Sequence, residues 1–197
     1  MRSILVALWI TILMGTSARG ADWERIITPE DRDRLDRLAE AIKEGDARAA
    51  ASSPAPEDVG TLRALLDPPD APVAAKQLAG DWRCRTIKVG DILVVYGWFK
   101  CRITAGHDGL LLEKISGSQR LTGYLYPDGP SRQILLGAAT VNDQRPLPYS
   151  GLANEADLAD LDADVVGVLT QPAPDRLRIL FPFPRYESIY DVMELTR

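Results

Sequence analysis

Both cysteines of the chain sit between basic residues, as Arg83-Cys84-Arg85 and Lys100-Cys101-Arg102, with Trp82 and Trp98 close by. Two cysteines in an exported chain are most simply one disulfide, because the compartment is oxidising. The residues around them suit a different task. Guanidinium forks at Arg83, Arg85 and Arg102 with the Lys100 ammonium could grip an anionic ligand or an acidic partner, with Trp98 and Tyr96 stacking beside them. A second cluster, Lys114, Ser116 and Ser118 in "LEKISGSQR", offers a basic residue and two hydroxyls, although Ser-Gly-Ser is also ordinary turn chemistry. "DLDAD" places Asp160, Asp162 and Asp164 at alternate positions, as calcium loops do. The EF-hand continuation fails, with Val165 where its glycine belongs and Gln171 where its glutamate belongs. A solvated acidic loop is the reading preferred over a weak calcium site.

Enzymatic chemistry finds little to stand on. There is no G-x-S-x-G elbow, no phosphate-binding loop and no dinucleotide fingerprint. The single histidine, His107, lies in "AGHDGL", which reads as a glycine-flanked turn and not as a positioned base. One histidine and two cysteines do not make a zinc site. Paired carboxylates remain open as a hydrolytic device, since their spacing in a barrel is not readable from sequence. No cofactor and no metal are expected.

These residues need strands to hold them. If Cys84 and Cys101 stand directly opposite on antiparallel strands, their Cα atoms are roughly 4.5–5.5 Å apart, within disulfide reach. Alternation then puts Trp82, Cys84 and Thr86 on one face with Phe99, Cys101 and Ile103, the core face. Arg83 would oppose Arg102, and Arg85 would oppose Lys100. Like charges directly opposite are destabilising, so compensation is required. Acids are plentiful: thirteen against seven basic residues from Asp22 to Asp70, and five more from Glu155 to Asp164. The tip "DILVV" is unusually apolar for a hairpin loop, which leaves room for a longer connection.

Further out, the chain divides. In "ITPEDRDRLDRLAEAIKEG", Thr28 is an N-cap, Pro29 a first helical residue and Gly45 a C-cap. "PEDVGTLRALLD" reads as a second helix, and "DPPDAP" ends helical structure. From Gly80 the pattern changes to period two, with turns at "PDG", "GHDG" and "PAPD". Leu177, Ile179, Phe181 and Phe183 alternate with Arg176 and Arg178, and Pro182 and Pro184 put that strand's end at an edge or bulge. About eight short strands in series predict an antiparallel barrel or sandwich. The fold class expected is α+β: a helical hairpin over 21–70 packed on an up-and-down β-barrel over 71–197.

Residues 1–20 carry Arg2, an apolar run from Ile4 to Met14, and the small pair Ala18 and Gly20. This order predicts a signal peptide cleaved after Gly20. The apolar run is shorter than the roughly 20 residues of a membrane span. The chain's 23 basic residues face 28 acids for a net charge of −5, and the leader removes Arg2 and Arg19 from the basic side. That balance excludes the basic footprint of a nucleic-acid binder and suits a periplasmic or secreted protein.

Three resemblances add to this reading. Gly80-Asp81-Trp82 resembles the G-x-W signature of the lipocalin-like (calycin) barrels, in which the tryptophan plugs one barrel end under a basic residue of the last strand; Arg197 stands where that residue would be. "ADWERIITPEDRDRL", "WRCRTIKVG", "WFKCRI", "SGSQRLTGYLYPDG", "DVVGVL" and "LFPFPRYESIYDVMEL", in this order, resemble a family of bacterial exported proteins catalogued only as a domain of unknown function, the 4893 type. That resemblance implies a periplasmic address and supplies no activity. "LEKISGSQRLTGYLY" is loosely similar to the loop of periplasmic C-type lysozyme inhibitors, which would make Lys114, Ser116 and Ser118 the residues entering an enzyme's cleft. The function expected is a non-enzymatic binding module of the cell envelope with an unidentified ligand or protein partner, using the basic-aromatic face or the barrel mouth. An inhibitor of lysozyme or another hydrolase is the alternative, and a hydrolase using His107 or paired carboxylates is the second.

Overall fold

The computed structural model describes residues 22–73, 75–106, 109–152 and 161–197. The expected signal peptide, His107 and Asp160 lie outside them. Among the described residues four helices come first: α1 (Trp23–Ile26), α2 (Pro29–Asp36), α3 (Leu38–Ala51) and α4 (Pro56–Leu66); a short α5 (Ala75–Leu78) follows. Thr28 caps α2, its Oγ1 accepting the Asp31 amide at 3.3 Å, and Pro29 opens the helix. The single helix expected up to Gly45 is instead broken at Arg37 and then runs through Gly45 to Ala51. Gly45 is no C-cap. A Cβ there would lie 2.5 Å from the Tyr190 ring, so the glycine lets α3 approach the last strand. Helical structure also resumes after the proline-rich stretch, in α5 and in single 3-10 turns at Ser150–Leu152 and Leu161–Ala163.

Nine strands follow among the described residues: β1 (Gly80–Val89), β2 (Leu93–Val95), β3 (Phe99–Gly106), β4 (Gly109–Lys114), β5 (Gln119–Pro127), β6 (Gln133–Val141), β7 (Asp164–Ala173), β8 (Arg176–Pro182) and β9 (Tyr190–Thr196). All strand pairings are antiparallel; from β3 to β9 each strand pairs with the next in sequence, β1 pairs with both β2 and β3, and β9 returns to pair with β1. Eight strands thus close a barrel, with β2 as an extra. β2 and β3 share one edge of β1: β3 takes Gly80–Cys84 and β2 takes Ile87–Val89. That division explains the apolar "DILVV". Leu93 is buried between β1 and the helices, so the stretch is a strand of its own and not a loop tip.

Alternation builds two layers of core. Trp82, Cys84, Leu112, Leu135, Ile179 and Leu195 fill the barrel interior. Residues one step out of phase, such as Ile87, Val89 and Val192, meet Ala41, Leu62 and Leu65 of α3 and α4. Ile134, Leu136 and Val168 meet Trp23 and Tyr149 in the same way. Strands covered on both faces lose their polar alternation, which is why β6 and β7 read as nearly continuous apolar runs. Each fully buried aliphatic side chain contributes about 1.5–3 kcal/mol.

Two polar clusters tie the helices to the barrel. Tyr149 donates to Asp31 at 2.7 Å, and Asp31 is ion-paired to Arg34, which also reaches the Asp164 carbonyl at 3.2 Å. Arg178, on the outer face of β8, donates to the Leu65 and Leu66 carbonyls at 2.5 and 2.9 Å and to Asp70 at 2.6 Å.

Candidate functional site in the barrel mouth

Cys84 and Cys101 form the expected disulfide, with Cα atoms 5.8 Å apart. The register differs from direct opposition: Cys84 faces Phe99 and Cys101 faces Trp82, so the bond runs diagonally. The shift moves the charges too. Arg83 opposes Lys100, while Arg102 opposes Asp81 and bonds to it at 2.6 Å. Arg85 pairs across the barrel seam with Glu194 at 2.6 Å, and Arg176 approaches the same carboxylate at 3.2 Å. The compensating acids therefore come from neighbouring strands and not from the helical segment. Trp98 lies between Arg83 and Arg85, at 4.8 and 4.6 Å from its ring centroid. Much of the basic-aromatic face is satisfied from within the fold.

The two ends of the barrel differ. At one end Trp82 is buried, its indole N–H donates to the Leu78 carbonyl at 2.9 Å, and the Arg197 guanidinium stacks 4.0 Å above its ring. Arg197 also donates to the Gln77, Leu78 and Ala79 carbonyls, which fixes it over the indole. The opposite end holds a cavity of about 440 Å³. Leu121, Val165, Phe181 and Met193 form apolar wall, and Ala139 contributes a small exposed position.

Charges ring this mouth. Lys88, one alternation step beyond Thr86 on the inward face of β1, is ion-paired to Glu187. Burial alone would lower its pKa, yet the Glu187 hydrogen bond and the charge of Asp191 hold it above the usual lysine value. Glu187 and Phe183 take left-handed φ angles of 74° and 42° in the β8–β9 connection, strain that persists where the surroundings impose it. Asp191 accepts from the Ser188 hydroxyl at 2.6 Å, and burial pushes its carboxyl up to about 6. Arg120 approaches Asp143 at 3.6 Å, and Arg185 approaches Glu30 and Asp162 at 3.1 and 3.4 Å.

Lys114 is the exception. It is 8% exposed, donates to the Gln119 carbonyl at 2.6 Å, and lies 4.3 Å above the Phe99 ring. Among the described residues no carboxylate pairs with it. Burial and the nearby Lys88 charge lower its pKa. Of its companions in the sequence motif, Ser116 accepts the Lys100 amide on its hydroxyl at 2.7 Å, and Ser118 is exposed. Lys88, Asp191 and Glu187 had not been singled out from the sequence, although continuing the Trp82-Cys84-Thr86 alternation by one step reaches Lys88.

Of the acidic loop, Asp164 is 3% exposed, accepts the Ser150 amide at 3.0 Å on one oxygen, and has no partner among the described residues on the other. Burial pushes its carboxyl up to about 6. No group of three or more metal-binding side chains occurs among the described residues. A carboxyl raised above its unfolded value holds its proton in the native state between about pH 4 and 6, so its cost to stability grows as pH rises through that window. Asp164→Asn is expected to raise stability at pH 7.5 by about 1–2 kcal/mol. The gain should vanish by pH 4, where both states are protonated; urea titrations at the two pH values check it.

The model of one family, described as a domain of unknown function (DUF4893), matches residues 23–195. The chain belongs to the DUF4893 family. The match spans the helices and the whole barrel, so the mouth and its charges lie inside the family's defining region. No curated protein and no solved structure gives a match. No helix among the described residues is long and apolar enough to cross a membrane.

Proposed function

We propose that this DUF4893 protein is a non-enzymatic binding module of the bacterial cell envelope that takes a small molecule into its barrel mouth. The observation that carries this reading is the asymmetry of the barrel. One end is stoppered by Trp82 under Arg197, and the other opens on a cavity of about 440 Å³, within the size range of small-molecule sites. The apolar leader expected in the sequence and the Cys84–Cys101 disulfide support an exported, periplasmic or secreted address. The outer face around Trp98 is the weaker candidate because its arginines are largely occupied by Glu194, Asp81 and the indole itself.

Ala139→Trp tests the reading, since Ala139 is small, exposed and on the cavity wall. Native mass spectrometry of the protein isolated from its own host should detect a bound small molecule on the wild type and none on the folded variant. Equal occupancy of both, or an empty wild type that no member of a small-molecule library stabilises, sinks the proposal.

A hydrolase is the second reading, favoured by one observation: Asp164 and Asp191, both with raised pKa values, line the same cavity. Carboxyls raised toward neutral pH on one cavity wall are candidates for general acid–base catalysis. Turnover of a chromogenic glycoside, abolished by Asp191→Asn, would move this reading ahead. The inhibitor alternative draws less support, because Lys114 is buried in the mouth and Ser116 is bonded to the Lys100 amide.

A further inference from the structure

Among the described residues, every cation on the wall of the mouth has a carboxylate partner except one. Lys88 has Glu187, Arg34 has Asp31, Arg120 has Asp143, and Arg185 has Glu30 and Asp162. Lys114 has a backbone carbonyl and a ring face. An ammonium carries three N–H donors, and the single acceptor at Gln119 leaves two of them for something else. Burying a charge without an opposite charge is costly, and the Lys88 charge raises that cost. A fold that pairs its other mouth cations and leaves this one over an apolar wall has built half of an ion pair.

We infer that the cavity takes a monoanionic amphiphile, its head group bound by Lys114 and its apolar part held against Leu121, Phe181 and Met193. The inference deepens the binding-module reading and rests on it. Apolar wall beside the ammonium favours a ligand with a hydrocarbon or aromatic body over a bare inorganic anion. Glu187 and Asp191 on the same wall limit the head to one negative charge, because a dianion would be repelled by both. An arriving anion also offsets the burial and the Lys88 charge that lower the Lys114 pKa. A carboxylate, a sulfate ester and a phosphodiester share this chemistry.

The probes are decanoate, decyl sulfate and decanol, which share a ten-carbon chain and differ in the head, measured by calorimetric titration at pH 7. Decanoate and decyl sulfate are expected to bind at least about tenfold more tightly than decanol, in line with a charge-assisted contact. Lys114→Met keeps most of the stem and should erase that preference by weakening the anions alone, leaving decanol unchanged. Lys114→Arg should retain it. The Met variant should melt no lower than the wild type, since it removes an unpaired buried charge, and this separates lost recognition from lost folding. Equal binding of the anions and decanol, or a preference that survives Lys114→Met, overturns the head-group assignment and leaves the cavity reading standing. Binding of none of the three overturns the amphiphile, and the Ala139→Trp comparison, which presumes no ligand class, then still decides the binding module. Decyl sulfate binding without decanoate narrows the head to an oxyanion of sulfur or phosphorus and supports the assignment.

Discussion

Arg178→Met is expected to lower stability by about 3–5 kcal/mol, the range seen when one member of a buried charged pair is removed. Arg178 is 7% exposed and directly opposes Thr170 in the β7–β8 ladder, to whose hydroxyl its Nε donates at 2.9 Å. Its Nη1 reaches the Leu65 and Leu66 carbonyls at the C-terminal end of α4, where helix carbonyls lack intrahelical partners. Its Nη2 bonds Asp70 at 2.6 Å. Methionine fills similar volume and supplies none of these donors, so the carbonyls and Asp70 would have to find water. The loss should be local at first: amides of Leu62 and Leu65 should exchange faster than those of β6 and β7. Arg178→Lys keeps the charge but lacks the planar fork that serves three sites at once, and should fall between. Uniform loss of protection throughout the barrel, or a cost below about 1 kcal/mol, would show that α4 is held by its apolar face alone.

The same residue shows why part of this fold was hidden in its sequence. In "RLRILFPF" the alternation of Leu177 and Ile179 with Arg176 and Arg178 is plain, and the strand was legible from it. Period two reports which residues share a face, not what covers that face. Arg176 and Arg178 look alike in the string, yet one meets Glu194 at the seam and the other is enclosed by α4. Lys88 was obscured by the converse effect. Near the mouth an inward position borders a cavity, so a polar residue there resembles a solvent-facing one. The Trp82–Arg197 contact was expected only from the resemblance of Gly80-Asp81-Trp82 to the calycin signature; closing the barrel brings the start of β1 and the residue after β9 together. Gly45 misled because a glycine after a charged helical run is the usual mark of a C-cap, whereas its reason is a Tyr190 ring more than a hundred residues away in sequence.

Register was the remaining gap, and it sets the second large effect. Cys84→Ala with Cys101→Ala is expected to cost about 3 kcal/mol, the chain-entropy value for a loop near fifteen residues; the cysteines here are 17 apart in sequence. Direct opposition had seemed the simplest arrangement, but β1 must give its edge first to β3 and then to β2. The last β1–β3 pair is Cys84 with Phe99, and pairing resumes at Thr86, whose carbonyl accepts the Tyr96 amide at 3.0 Å. Gly97 and Trp98 bridge that interruption, so on this edge β1 loses its ladder partner next to the disulfide. The diagonal bond secures the seam, and beyond it the inward face of β1 carries Thr86 and Lys88 into the mouth. Removing it should expose the β2 amides Leu93–Val95 to exchange before those of β5 and β6, and should weaken any mouth ligand along with stability. Both cysteines are at most 1% exposed, so reductant alone should act slowly on the native protein and quickly once urea opens it. A double variant that unfolds at the wild-type urea concentration would mean that β1 and β3 hold their register without the bond. The charge pairs Arg102–Asp81 and Arg85–Glu194, one on either side of it, would then be the groups to remove next.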